Sequence, residues 1–247
     1  MKLSVIIPAH NEEKRIEQTL SSVNEYLSAQ GFEYEVIVVD NGSTDKTDTV
    51  IEDLVRRGLK NVRVLKVHLP GKGATVKAGI EQAVGDFVMF MDADNATPIS
   101  EIAKFWTHFD QGYSVVIGSR YLAGAQVTKK QPLYRIVLSR GANLLIQMVA
   151  LPGIKDTQMG FKAFTRESAK KIFKFVRISG WGFDMEVLTI ARVNGYRIKE
   201  VPVLWREFGG SHVPLKAYVQ SLIDLGVIKI RALFGKYKET GASSFEG

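Results

Sequence analysis

The sequence predicts an α/β fold built on a Rossmann-like, mostly parallel sheet flanked by helices. Through residue 95, short apolar runs rich in β-branched residues alternate with helical stretches, the pattern of parallel strands joined by right-handed crossovers. Several of these runs end in polar residues, at the strand ends where open parallel sheets bind ligands. Hydrophobic residues at 45% and charged residues at 24% are globular values that exclude a disordered chain or a fibre.

In chain order, Leu3–Pro8 is a buried strand, followed by a loop and a helix from Glu12 to Ala29. Tyr34–Val39 is the second strand and ends at Asp40; Thr44–Arg57 is a helix with Asp45 and Asp48 near its positive end. Asn61–Val67 is a strand, Gly73–Ala83 a helix, and Phe87–Met91 a strand that ends at Asp92. His10, Asn11 and Glu12, then Asp40 to Ser43, then Asp92 and Asp94 thus meet at one rim. Beyond this half, Ser114–Gly118 is a strand leading into Ser119 and Arg120, Leu133–Leu151 a helix, and Asp156–Lys162 a polar segment. Glu167–Phe175 and Phe183–Asn194 are helical, Arg197–Trp205 a strand, and Leu215–Gly235 a long amphipathic helix. The residues 238–247 have the composition of a flexible tail.

No cysteine is present, which rules out disulfides, thiol catalysis and thiolate metal sites. The net charge of +7 suits solubility alone or an anionic partner such as nucleic acid, lipid or a phosphorylated substrate. An aromatic and basic recognition stripe and a zinc-finger pattern are both absent, so a nucleic-acid binder is not expected. Met1–Pro8 lacks the basic start and apolar stretch of a signal peptide, and no apolar run approaches the ~20 residues that span a bilayer. The expected location is cytoplasmic, with any membrane contact peripheral.

The sharpest local feature is Asp92-Ala93-Asp94 at the end of an apolar strand. If the chain turns there, as Asn95 and Pro98 favour, the two carboxylates converge and need a cation between them. Mg²⁺ or Mn²⁺ takes such oxygen ligands and completes its shell with substrate phosphates. An acidic turn capping the next helix is the alternative. Gly71-Lys72-Gly73 is either a plain turn or a flexible seat for a lysine that reaches a phosphate or Asp40.

The opening Val5-Ile-Ile-Pro-Ala-His-Asn-Glu-Glu13 resembles the first strand and loop of family 2 glycosyltransferases. Val38-Val-Asp-Asn-Gly-Ser-Thr-Asp45 resembles their second, Gly71-Lys-Gly73 with its helix their third, and Asp92-Ala-Asp94 their metal motif. The resemblance implies a GT-A fold over at least Met1–Arg120. It implies that Pro8, Ala9, Asn11, Glu12 and Asp40 cradle base and ribose. Lys72, Asp92, Ala93 and Asp94 would bind the diphosphate, with Asp92 and Asp94 holding Mg²⁺ or Mn²⁺. Asn41 departs from the family's usual second aspartate.

Gly118-Ser-Arg120, Arg135-Ile-Val-Leu-Ser-Arg-Gly-Ala-Asn143 and Asp156-Thr-Gln-Met-Gly-Phe-Lys162 resemble polyprenyl-phosphate hexose synthases within that family. Trp181-Gly-Phe-Asp-Met-Glu186 and Trp205-Arg-Glu-Phe-Gly-Gly-Ser-His212 are most similar to the dolichyl-phosphate glucose branch. The implied reaction is inverting transfer of a hexose from a nucleotide-sugar, UDP-glucose in the first instance, to a polyprenyl phosphate. The product would be a lipid-linked sugar donor for glycosylation. A phosphate monoester is already anionic and needs placement more than a base. Arg120, Arg135 and Ser139 suit that task, the last two lying four apart on one helix face. Asp156 is either the catalytic or acceptor-orienting carboxylate or a cap or salt-bridge partner. Asp184 and Glu186 line or buttress the sugar pocket.

In the helix from Leu133, Arg135, Ser139, Asn143 and Gln147 form a polar stripe on an otherwise apolar cylinder. The C-terminal helix groups Lys216, Gln220, Asp224, Arg231 and Lys238. Both suit an interfacial helix at a membrane surface, or a helix packed in a core or dimer interface. The expected organisation is a single GT-A domain over 1–237, with a nucleotide-sugar half at 1–120 and an acceptor half at 121–237. Oligomeric state has no sequence signal. The competing functions are a GDP-mannose-dependent synthase, a transferase acting on a glycan hydroxyl, and a non-catalytic nucleotide-sugar-binding assembly subunit.

Overall fold

The computed structural model describes residues 1–128, 133–206 and 215–238, with backbone alone for 133–139 and 215–218. The elements run β1 (Lys2–Ala9), α1 (Ile16–Ser28), β2 (Glu33–Asn41), α2 (Thr47–Arg56), β3 (Val62–Val67), α3 (Gly71–Glu81) and β4 (Phe87–Met91). They continue through α4 (Ala103–Asp110), β5 (Val115–Ser119), β6 (Gln126–Val127), α5 (Leu133–Val149), β7 (Phe161–Thr165) and α6 (Arg166–Phe175). The last are α7 (Phe183–Val193), β8 (Ile198–Pro202), β9 (Leu204–Trp205) and α8 (Leu215–Leu233). Among the described residues the central sheet has seven strands in the order β3-β2-β1-β4-β7-β5-β8, and β6 pairs with β9 in a separate ribbon. All pairs in the central sheet are parallel except those that β7 makes with β4 and β5.

Strand alternation divides the core into two layers. Leu3, Val5 and Ile7 of β1 point to one face, against Ile16, Leu20 and Val23 of α1, Ile51 of α2 and Phe105 of α4. Ile6 points to the other, with Val76 and Ile80 of α3, Ile172 and Phe173 of α6 and Phe183 of α7. A fully buried residue of this size contributes about 1.5–3 kcal/mol through removal from water, so the two-sided run in β1 pins the centre of the sheet. Gly79 lets α3 lie close on that sheet, since a Cβ there would press on Val39 at 2.8 Å.

The strands and helices of the first half fall where expected, within a few residues at their ends. Three differences have physical causes. First, α1 begins at Ile16 rather than Glu12, because Asn11 turns the chain at a positive φ of 57° and Arg15, at φ −123°, still stands outside the helix as its N-cap. Second, the end of the polar segment 156–162 opens strand β7. Its pattern was concealed by Lys162, a charged residue that is fully buried inside the sheet. Third, the single strand expected over 197–205 is divided: β8 pairs with β5 and β9 with β6. Helix α4, packed through Phe105 and Phe109, was not anticipated. Residues 239–247, expected to be a tail, lie outside the described residues.

Candidate active site

The carboxyl ends of β1, β2 and β4 are in register, with Ala9 beside Asp40 and Ile6 beside Phe90, so their loops share one rim. The β1 loop is locked to the β2 loop. Asn11 has φ of 57°, and its Oδ1 accepts from the N–H of Thr44 at 2.8 Å. Its own N–H donates to Ser43 Oγ at 3.0 Å. Asp40 is buried and accepts from both the N–H and the hydroxyl of Ser43. Pro8 is half-buried and Ala9 buried at the end of β1.

Asn41 uses both ends of its amide on the backbone of one residue: Nδ2 donates to the Leu69 carbonyl at 2.9 Å, and Oδ1 accepts from the Leu69 N–H at 2.8 Å. A carboxylate could only accept. The amide at this position therefore fastens the turn that leads into α3.

Lys72, in the first turn of α3, places its ammonium on Asp92 Oδ1. Of the two partners foreseen for it, a phosphate or Asp40, the carboxylate is thus replaced by Asp92. Glycines flank it because α3 meets the 178–180 backbone here: Gly73 donates to the Ser179 carbonyl at 2.7 Å, and a Cβ on Gly71 would lie 2.5 Å from that oxygen. Burial works against the Lys72 charge, yet Asp92, Asp184 and Asp94 hold its pKa above the ordinary lysine value.

After Asp92 the chain turns as expected: Asn95 has φ of 53°, and Asp94 Oδ1 accepts from the Ala96 N–H at 3.0 Å. The buried Ala93 faces inward, its carbonyl accepting from Thr19 Oγ1 at 2.7 Å. Burial and the charge of Asp92 push the Asp94 pKa up. Glu12 is pushed up as well, by burial first, with Arg15 opposing and Asp94 and Asp45 adding repulsion. The rim thus concentrates negative charge that Lys72 and Arg15 partly offset, an environment that favours a divalent cation. Asp92 and Asp94 fit as its protein ligands. Among the described residues no group of three or more His, Asp or Glu side chains that could hold a metal ion is present.

A buried ion pair underlies this cluster. Lys162 bonds to Asp184 and to the Met159 carbonyl, with its ammonium 5.5 Å from the Phe90 ring. Burial lowers the Lys162 pKa and raises that of Asp184. Gly160 is forced by the same crowding, for a Cβ there would collide with the Asp92 carboxylate. The foreseen buttressing by Asp184 and Glu186 divides accordingly: Asp184 pairs with Lys162, and Glu186 is fully buried beneath the 176–180 segment.

Arg120 and Asp156 meet in a bidentate pair, Nε and Nη2 each 2.8 Å from a carboxylate oxygen, and the Arg120 N–H adds a bond of 2.9 Å. Glu200 fixes the other side by accepting from the N–H groups of Lys155 and Asp156, both at 2.8 Å. Burial opposes the Arg120 charge, but Asp156 outweighs it and holds the guanidinium pKa above its normal range. The guanidinium also lies 5.4 Å from the Trp205 ring and 5.5 Å from that of Tyr121. With Asp156 fully buried and both oxygens engaged, its environment is that of an ion-pair partner. Glu200 and Gly160, which hold the two acidic elements in place, were not singled out from sequence. Gly160 lies within the Asp156–Lys162 motif and Glu200 in an ordinary segment, and for both only contacts across the chain reveal the role.

The side chains of Arg135 and Ser139 lie outside the described residues, although the backbone of both is in α5. The described parts of α5 and α8 bury Ile146, Leu225 and Ile228 together with the polar Asn143 and Asp224, and leave Leu144, Met148, Leu222, Ile223, Ile230 and Leu233 exposed, with Phe234 just beyond α8 exposed as well. The two helices contact one another, so their apolar side chains form neighbouring surfaces. No helix among the described residues is long and apolar enough to cross a membrane.

Residues 4–173 match the model of glycosyl transferase family 2. Dolichyl-phosphate beta-glucosyltransferase of Dictyostelium discoideum is 34% identical over 249 residues, covering 96% of this chain and 76% of that protein. The Homo sapiens protein of the same description is 34% identical over 251 residues, covering 96% and 78%. Among solved structures, glucosyl-3-phosphoglycerate synthase from Mycobacterium tuberculosis in complex with Mn²⁺, UDP-glucose and phosphoglyceric acid superposes with a TM-score of 0.69. That match is at 21% identity and covers 92% of this chain and 79% of that one. It carries the GT-A architecture. With the family model spanning most of the chain and relatives of this similarity matching nearly all of it, the protein belongs to glycosyltransferase family 2.

Proposed function

We propose that this enzyme transfers glucose from UDP-glucose to dolichyl phosphate or a related polyprenyl phosphate, with inversion at the anomeric carbon. The observation that carries this reading is the match to dolichyl-phosphate beta-glucosyltransferases across 96% of the chain, including the segments beyond the family's common nucleotide-sugar half.

In this reading Pro8, Ala9, Asn11, Glu12 and Asp40 form the base and ribose side, and Lys72, Ala93, Asp92 and Asp94 the diphosphate side. Asp92 and Asp94 would hold Mg²⁺ or Mn²⁺, which when bound neutralises charge on the departing diphosphate. Lys72 contributes a second positive charge at that point. An oxygen of the acceptor phosphate attacks the anomeric carbon; the bond from that carbon to the diphosphate oxygen breaks, and UDP leaves with the electron pair. Arg120, Arg135 and Ser139 orient the acceptor phosphate for in-line attack. Asp156 holds the Arg120 guanidinium flat and charged, and needs to remove no proton from a phosphate that is already ionised.

The exposed apolar side chains of α5 and α8 support peripheral contact with the membrane that supplies the lipid. A location on the cytoplasmic face of that membrane belongs to the same reading. A donor panel tests the choice of sugar. UDP-glucose should label the polyprenyl phosphate, while preferential labelling from GDP-mannose would move the enzyme to the mannose branch and overturn the glucose assignment.

A further inference from the structure

We infer that Arg231, in the last turn of α8, and Tyr237, just beyond that helix, act through Glu186 as positioning residues for the donor site. The inference rests on the donor reading above, with Lys72 at the diphosphate.

Glu186 offers its two oxygens to two different parts of the chain. Oε2 accepts from the backbone N–H groups of Arg177 at 2.8 Å and Ile178 at 2.7 Å. Oε1 accepts from the Tyr237 hydroxyl at 2.7 Å and from Arg231 Nη1 at 3.2 Å. The carboxylate and the Tyr237 side chain are buried, so water is not a ready substitute for either partner.

The segment held this way is the one that seats α3. The Ser179 carbonyl takes the Gly73 N–H, the Val176 carbonyl takes Lys77 Nζ at 3.1 Å, and Gly71 and Gly73 bracket Lys72 against the 178–180 backbone. Trp181 and Phe183, which follow in the chain, place their ring centroids 6.0 and 5.9 Å from the Lys72 ammonium. Asp224 of α8 fills the space where Gly182 would carry a Cβ. A continuous set of contacts therefore runs from Tyr237 through Glu186 and the 177–180 backbone to Lys72 and Asp92. Displacing the 177–180 backbone by a fraction of an ångström would move the lysine relative to the diphosphate, although Tyr237 and Arg231 touch neither.

The test is calorimetric titration of UDP with Mn²⁺ into the full chain, comparing wild type with Tyr237→Phe and Glu186→Gln. Tyr34→Phe is the control. It removes a buried tyrosine hydroxyl that donates to Asn24 at 2.8 Å, at the amino-terminal end of β2 and away from the rim. The expected result is a Kd about fivefold weaker for Tyr237→Phe and weaker still for Glu186→Gln, with stoichiometry unchanged and Tyr34→Phe binding like wild type. Should Glu186→Gln fail to fold, Tyr237→Phe decides alone. A Tyr237→Phe protein with wild-type Kd, a loss of stoichiometry at constant Kd, or an equal weakening in Tyr34→Phe would overturn the inference. A folded wild type that binds no UDP would instead overturn the donor reading, and this inference with it.

Discussion

The ammonium of Lys72 rests on the carboxylate of Asp92, across twenty residues of sequence. One member of the acidic pair is thus neutralised while Asp94, with its raised pKa, is not so directly paired. Lys72→Met removes the only cation in contact with Asp92 among the described residues. It should lower kcat/KM for the nucleotide-sugar on the order of a hundredfold, as for other preorganised charge-stabilising groups. Steady-state kinetics at varied donor and saturating acceptor check this.

Gly160→Ala places a methyl group on the Asp92 carboxylate. The chain should still fold, but Asp92 must swing away, and the Mn²⁺ concentration for half-maximal activity should rise at least about tenfold. Gly31→Ala, where nothing lies within 4 Å of the added carbon, should leave that titration unchanged.

Asp156→Asn leaves the largely buried Arg120 without its counter-charge and should cost about 3 kcal/mol of stability in urea unfolding. If the pair acts as a unit, adding Arg120→Met should cost much less than the sum of the single changes. A proton-removing Asp156 would give the opposite pattern, with activity lost and stability retained.

Tyr237 supplies a pH signature. Burial, then the bond to Glu186, raises its folded-state pKa above the ordinary 10.0. Its contribution to stability is therefore complete below pH 10.0 and is lost as the pH rises from there toward the folded-state value. Tyr237→Phe should be less stable than wild type near neutrality, and the gap should narrow in alkaline melts above that pH.

Much of the first half of the chain was legible because its signals are local. Apolar β-branched runs marked β1, β2 and β4, and the polar residues after them fell on the rim those strands create. The turn at Asp94–Asn95 was legible for the same reason, since Asn tolerates positive φ. What escaped depends on distant partners. Strand β7 was obscured because Lys162 violates the apolar pattern unless Asp184, 22 residues later, is there to receive it. The partner of Lys72 was missed because the choice between Asp40 and Asp92 is made by the backbone that seats α3, not by spacing. Glu200 acquires its role only when β8 pairs with β5 and brings it under Asp156. In α5 and α8 the polar stripes were visible in sequence, but that Asn143 and Asp224 face inward beside Ile146, Leu225 and Ile228 emerges only from packing.

The most direct test of the account is transfer of radiolabel from UDP-glucose into an organic-extractable polyprenyl phosphate by the purified chain, with Mn²⁺ or Mg²⁺ and with chelator. The account predicts label in the lipid phase that requires both the acceptor phosphate and the metal, and that disappears in Asp94→Ala with the fold intact. Label released only as free glucose, transferred only to hydroxyl acceptors, or absent despite UDP binding would contradict it.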